Sequence, residues 1–149
     1  MIAQDSQADY EGELCLVIGR DTKNIFPENA LSYIAAYTVG NDISARKLQR
    51  DPPLAGRVPQ WGFSKGFDTF APLGPCLVAA SEIADPSKLL LKTIVGGKVR
   101  QEEYVADLDL LFDCVGAGLS PPKYLVPGTH MDVVIDASIG TLRNGVVFD

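Results

Sequence analysis

Gly96-Gly97 separates two runs, LLLKTIV and KVRQEEY, each the length of a β-strand. Paired glycines accept the positive φ values of a two-residue turn, so this stretch is expected to fold as an antiparallel hairpin. A lone hairpin is marginal in water and needs more strands, or a helix, against its apolar side. The rest of the chain offers them. Residues 11–20 (EGELCLVIGR) begin by alternating polar and apolar positions and become an apolar run, which reads as a strand. FDTFAPLGPCLVAA reads as a loop leading into another. The tail MDVVIDASIGTLRNGVVFD alternates and is expected to turn back in a hairpin around Arg143 to Gly145.

Helical signals are shorter. Pro27, with Glu28 and Asn29 after it, fits a first helical turn. ALSYIAAYTV is then expected to be helical at first and extended from Tyr37 to Val39. GNDISARKLQR reads as a turn entering a short helix, and DLDLLFDCVGAGLS has helical apolar spacing at Leu108, Leu111, Phe112 and Val115. Residues 51–59 (DPPLAGRVP) are expected to be loop, because proline and glycine are dense there. Asp85 and Pro86 open a turn. The whole is expected to be an α+β, β-rich fold with a dominant sheet or sandwich-like roll.

The chain's 149 residues are enough for one domain with a real core, and 46% hydrophobic with 21% charged is an ordinary globular balance. A formal net charge of -6 gives no counterion-release advantage on a phosphate backbone, so no nucleic-acid partner is expected. The apolar runs fall far short of the ~20 residues that cross a bilayer, so no membrane partner is expected either. The three cysteines, Cys15, Cys76 and Cys114, are far apart and form no C-x-x-C pair. Buried reduced thiols in a reducing compartment are the expectation. The expected location is cytoplasmic, or mitochondrial should the N-terminus be incomplete.

The candidate chemistry lies in carboxylates. Glu11 and Glu13 are one residue apart on an expected strand, so both leave the same face. Two like charges so close suit either open water or a bound cation. Asp42, in Gly40-Asn41-Asp42, supplies a third carboxylate at a turn. Three carboxylates suit a hard cation such as Mg2+ or Mn2+, and without a Cys/His cluster zinc is not expected. Arg46 and Gln49 share one helical face. Arg46 offers a fork for a substrate carboxylate, and Gln49 an amide for a carbonyl or a water. Lys65, in WGFSKGFDTF, is placed to stabilise a developing oxyanion. Taken alone, the glutamate pair, Arg46 and Gln49 are more readily read as solvated surface, and Lys65 equally so. Trp61, Phe63, Phe67 and Phe70 are expected in the core or a pocket wall.

Taken in order, DYEGELCLVIG, YTVGNDISARKLQ, QWGFSKGFDTFAPLGPCLV, GGKVRQ and IGTLRNGVVF resemble the fumarylacetoacetase-like C-terminal domain. The resemblance covers nearly the whole chain. It implies a mixed β-roll spanning residues 1–149 as a single catalytic domain, usually dimeric. It implies Glu11, Glu13 and Asp42 as ligands of Mg2+ or Mn2+, Lys65 and Gln49 as catalytic residues, and Arg46 and Gln49 as facing the substrate. The implied substrates are small 2-oxo acids. The implied reactions are acylpyruvate-type carbon–carbon hydrolysis, and oxaloacetate decarboxylation or tautomerisation through a stabilised enolate.

The sequence departs from that family in two places. The family's hydrolytic members carry an upstream His and Glu that activate water, and neither has a counterpart here. The only histidine, His130, lies in PGTHMDV and is expected to be a solvent-facing turn residue. Between Ser120 and Pro121 the family inserts a strand and a T-G-T-P turn, so one internal strand-turn unit is expected to be missing. Enolisation and decarboxylation ask less of a base than hydrolysis does, and rank above it. The alternative is a catalytically impaired paralogue serving as a metal- or ligand-binding or oligomerisation module.

Overall fold

The computed structural model describes residues 2–3, 8–107, 115–116 and 131–148. Strands dominate, as the alternating runs imply. They are β1 (Ile2–Ala3), β2 (Ala8–Asp9), β3 (Gly12–Ile18), β4 (Ile34–Asn41), β5 (Ser44–Ala45), β6 (Leu73–Ala79), β7 (Leu90–Val95), β8 (Lys98–Tyr104), β9 (Val115–Gly116), β10 (Met131–Ala137) and β11 (Gly140–Phe148). Three short helices lie between β5 and β6: α1 (Arg46–Arg50), α2 (Pro52–Ala55) and α3 (Trp61–Lys65). No helix among the described residues is long and apolar enough to cross a membrane.

The strands form a five-stranded sheet in the order β1-β11-β10-β7-β8, a four-stranded sheet in the order β6-β4-β3-β9, and the small pair β2-β5. Pairing is antiparallel except for β1 on β11. The β7–β8 hairpin turns at Gly96 and Gly97, with φ of 56° and 74°, as the paired glycines imply. Val39 of the four-stranded sheet, Leu91, Val95 and Ile135 of the five-stranded sheet and Ala8 of the small pair form one buried cluster, so the large sheets pack face to face. A second cluster joins Leu14 and Tyr37 to Leu89 and Val105, and a third holds Ile43, Ala45 and Phe70. Full burial of a side chain such as Ile135 contributes roughly 1.5–3 kcal/mol. Where the β4–β6 register slips between Tyr37 and Val39, the Thr38 hydroxyl reaches the carbonyls of Gly74 (3.2 Å) and Cys76 (2.8 Å) and closes the gap.

Several expectations need correction. The tail hairpin turns at residues 138–139, not around Arg143 to Gly145, because β11 runs unbroken through Asn144 and Gly145 opposite β10. Strand β4 begins at Ile34, before Tyr37, and the turn from Pro27 to Tyr33 is a 3-10 helix. Residues 52–55 form a helix with proline at its first positions, where a missing N–H costs nothing. Trp61, Phe63 and Phe67 are exposed; among the four aromatics expected inside, Phe70 alone is buried. Cys76 is exposed and Cys15 half-buried. Val115, expected on a helix, lies in strand β9 opposite Leu14 of β3; Leu108, Leu111 and Phe112 of that expected helix, Cys114, His130 and the Ser120–Pro121 junction lie outside the described residues.

Gly12 sits where the two sheets approach. A Cβ there would run into Thr93 Oγ1 and come within 2.8 Å of Ile135 Cδ1, both from the opposing sheet. Gly12→Ala is therefore expected to destabilise the fold by about 1–3 kcal/mol as an overpacked site. Urea unfolding checks this; an unchanged midpoint would mean the sheets have slack at Gly12.

Candidate metal centre

Glu11, Glu13 and Asp42 meet at one end of the β3–β4 pair. Glu13 pairs with Gly40 across the ladder, and Glu11 immediately precedes β3. Asp42 follows the last residue of β4, and its N–H donates to the Glu11 carbonyl at 2.9 Å. Asn41, almost fully buried, accepts from the Glu11 N–H at 3.2 Å through Oδ1. Its Nδ2 donates to Asn144 Oδ1 on β11, also at 3.2 Å. The backbone that presents the carboxylates is thus tied on both sides. One oxygen from each of the three carboxylates lies within 4.8 Å of the other two.

Among the described residues, Lys65 and Arg46 are the cations that face this group. Lys65, the last residue of α3, donates to Glu11 Oε2 at 3.1 Å, to Ser44 Oγ at 2.7 Å and to Asp42 Oδ2. Arg46, the first residue of α1, donates to Glu11 Oε1, to Asp9 Oδ2 at 2.7 Å and to Gln49 Oε1 at 2.7 Å. Ser44, fully buried, also donates to Glu11 Oε1 at 3.3 Å. Sequence spacing indicated the Arg46–Gln49 neighbourhood, and the 2.7 Å bond between them realises it. It did not indicate Asp9 or Ser44, which enter through the β2–β5 pairing of Asp9 with Ser44.

The electrostatics are uneven. Burial pushes the Glu11 carboxyl up, but the adjacent Arg46 and Lys65 charges outweigh it and hold Glu11 below the ordinary value. Glu13 is pushed up to about 7, first by burial and then by the Asp42 and Glu11 charges, which Lys65 offsets only in part. With all four carboxyls ionised, Asp9, Glu11, Glu13 and Asp42 carry four negative charges against the two positive charges of Arg46 and Lys65. Among the described residues two negative charges remain, which one divalent cation would balance. An all-oxygen, net-negative donor set within a few ångströms fits a hard divalent ion, with Glu11, Glu13 and Asp42 as its holders.

The family model described as fumarylacetoacetate (FAA) hydrolase C-terminal matches residues 2–113. The oxaloacetate tautomerase YisK of Bacillus subtilis is 36% identical over 165 residues, covering 95% of this chain and 52% of that protein. The mitochondrial oxaloacetate tautomerase fahd2 of Xenopus laevis is 35% identical over 148 residues, covering 99% of this chain and 45% of that protein. The crystal structure of 5-carboxymethyl-2-hydroxymuconate delta-isomerase from Mycobacterium smegmatis matches with a TM-score of 0.77 at 32% identity, covering 100% of this chain and 63% of that one. The chain spans about half the length of the curated relatives it matches.

The Glu13 carboxyl holds its proton more tightly in the folded chain than in the unfolded one. Its folded value, about 7, exceeds the ordinary 4.5, so between those values the folded chain holds a proton that the unfolded chain has released. Metal-free stability therefore falls as pH rises through that window, and the loss is complete above it. Glu13→Gln is expected to stabilise the metal-free chain at pH 8, on the order of 1–2 kcal/mol, while weakening divalent binding. Thermal unfolding with and without Mg2+ checks both; a variant less stable than wild type at pH 8 would contradict the repulsion.

Proposed function

The chain belongs to the fumarylacetoacetate hydrolase family, and we propose that it is a divalent-metal-dependent enzyme acting on a small 2-oxo acid. The reaction proposed first is keto–enol tautomerisation of an oxaloacetate-like substrate. The observation that carries this reading is the convergence of Glu11, Glu13 and Asp42, with two net negative charges left over and Lys65 beside them. Relatives named oxaloacetate tautomerase support the substrate class.

A bound Mg2+ or Mn2+ would supply Lewis acidity to the chelating keto and carboxylate oxygens of the substrate. The remaining work falls to side chains. Lys65 Nζ, whose three N–H bonds are taken by Glu11, Asp42 and Ser44, provides a positive charge next to the oxygen on which enolate charge develops. Gln49, fully buried on α1, accepts from Arg46 Nη1, and we assign the pair to orienting the substrate. Arg46 Nε, Nη1 and Nη2 each already donate to protein oxygens, so this role falls to N–H bonds other than those three. Tautomerisation moves one proton between carbon and oxygen and needs no activated water, whereas hydrolysis does.

A second reading, a module that binds metal or a 2-oxo acid without turnover and works by association, has its own support. Leu54, Val58, Trp61, Phe63 and Phe67, on or between the helices that lead to Lys65 and just beyond it, are exposed. So are Leu73 and Leu77 on β6, at the end of its sheet. Exposed apolar groups of this size suit a protein partner, and the expected homodimer is the proposal they support. Sedimentation of the purified chain should then give twice the chain mass of 16.0 kDa; a monomer at micromolar concentration would remove this support.

The test of function is the ultraviolet absorbance of enol-oxaloacetate, followed with the purified chain in Mg2+ or Mn2+. Metal-dependent acceleration of enol loss is expected, absent in Glu11→Ala/Glu13→Ala. Lys65→Met should keep metal binding and lose rate by about 10²–10³-fold. Metal and oxalate binding without turnover would sink the enzyme reading in favour of the module.

A further inference from the structure

Asp9 is nearly sealed from solvent at 6% exposure, and it is not one of the three converging carboxylates. A buried charge needs a reason and a partner. Its partner is Arg46. Asp9 lies on β2, opposite Ser44 on β5, and the next β5 residue, Ala45, leads directly into Arg46. Strand pairing therefore brings Asp9 and Arg46 together across 37 residues of chain.

Both oxygens of Asp9 are occupied. Oδ1 accepts from the Tyr10 N–H at 3.0 Å, and Oδ2 accepts from Arg46 Nε at 2.7 Å. A guanidinium is planar and rigid, so fixing Nε fixes the direction of the other two nitrogens. Nη1 then points at Gln49 Oε1, and Nη2 at Glu11 Oε1. With Ser44 also donating to Oε1, that oxygen of Glu11 is committed to the protein. Oε2 is the oxygen turned towards Lys65, whose Nζ also binds Asp42 Oδ2.

We propose that Asp9 is a positioning residue of the metal site: it locks the Arg46 guanidinium, which holds Glu11 Oε1 and so presents Glu11 Oε2 to the cation. This rests on the metal-site reading above. Asp9 touches neither the cation nor the substrate; it acts through Arg46. The side chain that the sequence suggests as a substrate clamp is thus, first, the middle link of an Asp9–Arg46–Glu11 chain.

The experiment is Mn2+ titration by calorimetry on wild type, Asp9→Asn, Arg46→Lys and the double variant, at a temperature where thermal unfolding shows each to be folded. Lysine keeps the charge of Arg46 but has no fork to span Asp9 and Glu11. Asp9→Asn is expected to weaken Mn2+ by about 10–100-fold, the usual size for losing a partner that orients a ligand. Arg46→Lys should do the same, and the double variant should be no weaker than the worse single one, because both break one chain. Should Asp9→Asn fail to fold, Asp9→Glu carries the test in its place, with the same loss expected from the displaced carboxylate. Folded Asp9 variants that bind Mn2+ as tightly as wild type, even with a lowered unfolding temperature, would overturn the assignment and leave Asp9 a structural ion pair. Losses that multiply in the double variant would overturn it too, since Asp9 would then act by another route. A wild-type chain that binds no Mn2+ would instead overturn the metal reading itself, and this assignment with it.

Discussion

Repulsion among carboxylates is the constraint around which this fold is arranged. Glu11, Glu13 and Asp42 are brought within a few ångströms at a partly buried corner, where water cannot fully screen them. Left alone, such a group would push the end of β3 away from the end of β4. The chain answers with cations from two different helices, Arg46 at the start of α1 and Lys65 at the end of α3. Their short helices matter chiefly as the means of delivering those charges. That Glu13 stays the least compensated member marks where the folded chain is unsatisfied, a common property of sites shaped for a ligand rather than for stability.

Packing holds the corner as firmly as charge does. Gly12, between the two glutamates, gives up its side chain so that Thr93 and Ile135 of the other sheet can approach. On the site side, Asn41 ties the Glu11 backbone, and Ile43 anchors the connection to β5 through its N–H to the Phe70 carbonyl at 2.8 Å. The same residues that close the core therefore set the spacing of the carboxylates.

Much of this was legible in sequence because it depends on local period. The E-x-E spacing places both glutamates together, the paired glycines make their hairpin, and Arg46 and Gln49 meet one helical turn apart. What could not be read depends on partners distant in the chain. Asp9 looks like any acidic residue before a strand until β2 pairs with β5. Asn144-Gly145 has the composition of a tight turn, yet Asn144 serves a tertiary contact with Asn41 and the strand runs on through it. The exposure of Trp61, Phe63 and Phe67 was equally hidden, since hydrophobic type sets a cost for exposure and not a location. The short helix α2 is hidden in sequence because proline breaks a helix in its interior and starts one at its first turn.

The Asn41–Asn144 hydrogen bond spans 103 residues. Closing so long a loop has a large entropic cost, met only after the intervening strands have organised. The tail strand is therefore remote from the carboxylates in the chain and adjacent to their support in space. The Asn41–Asn144 support is thus expected to close late in folding, after the β3–β4 pair has brought the carboxylates together. Low φ-values at Asn41 and Asn144 would be the kinetic signature of that late assembly, and high ones would refute it.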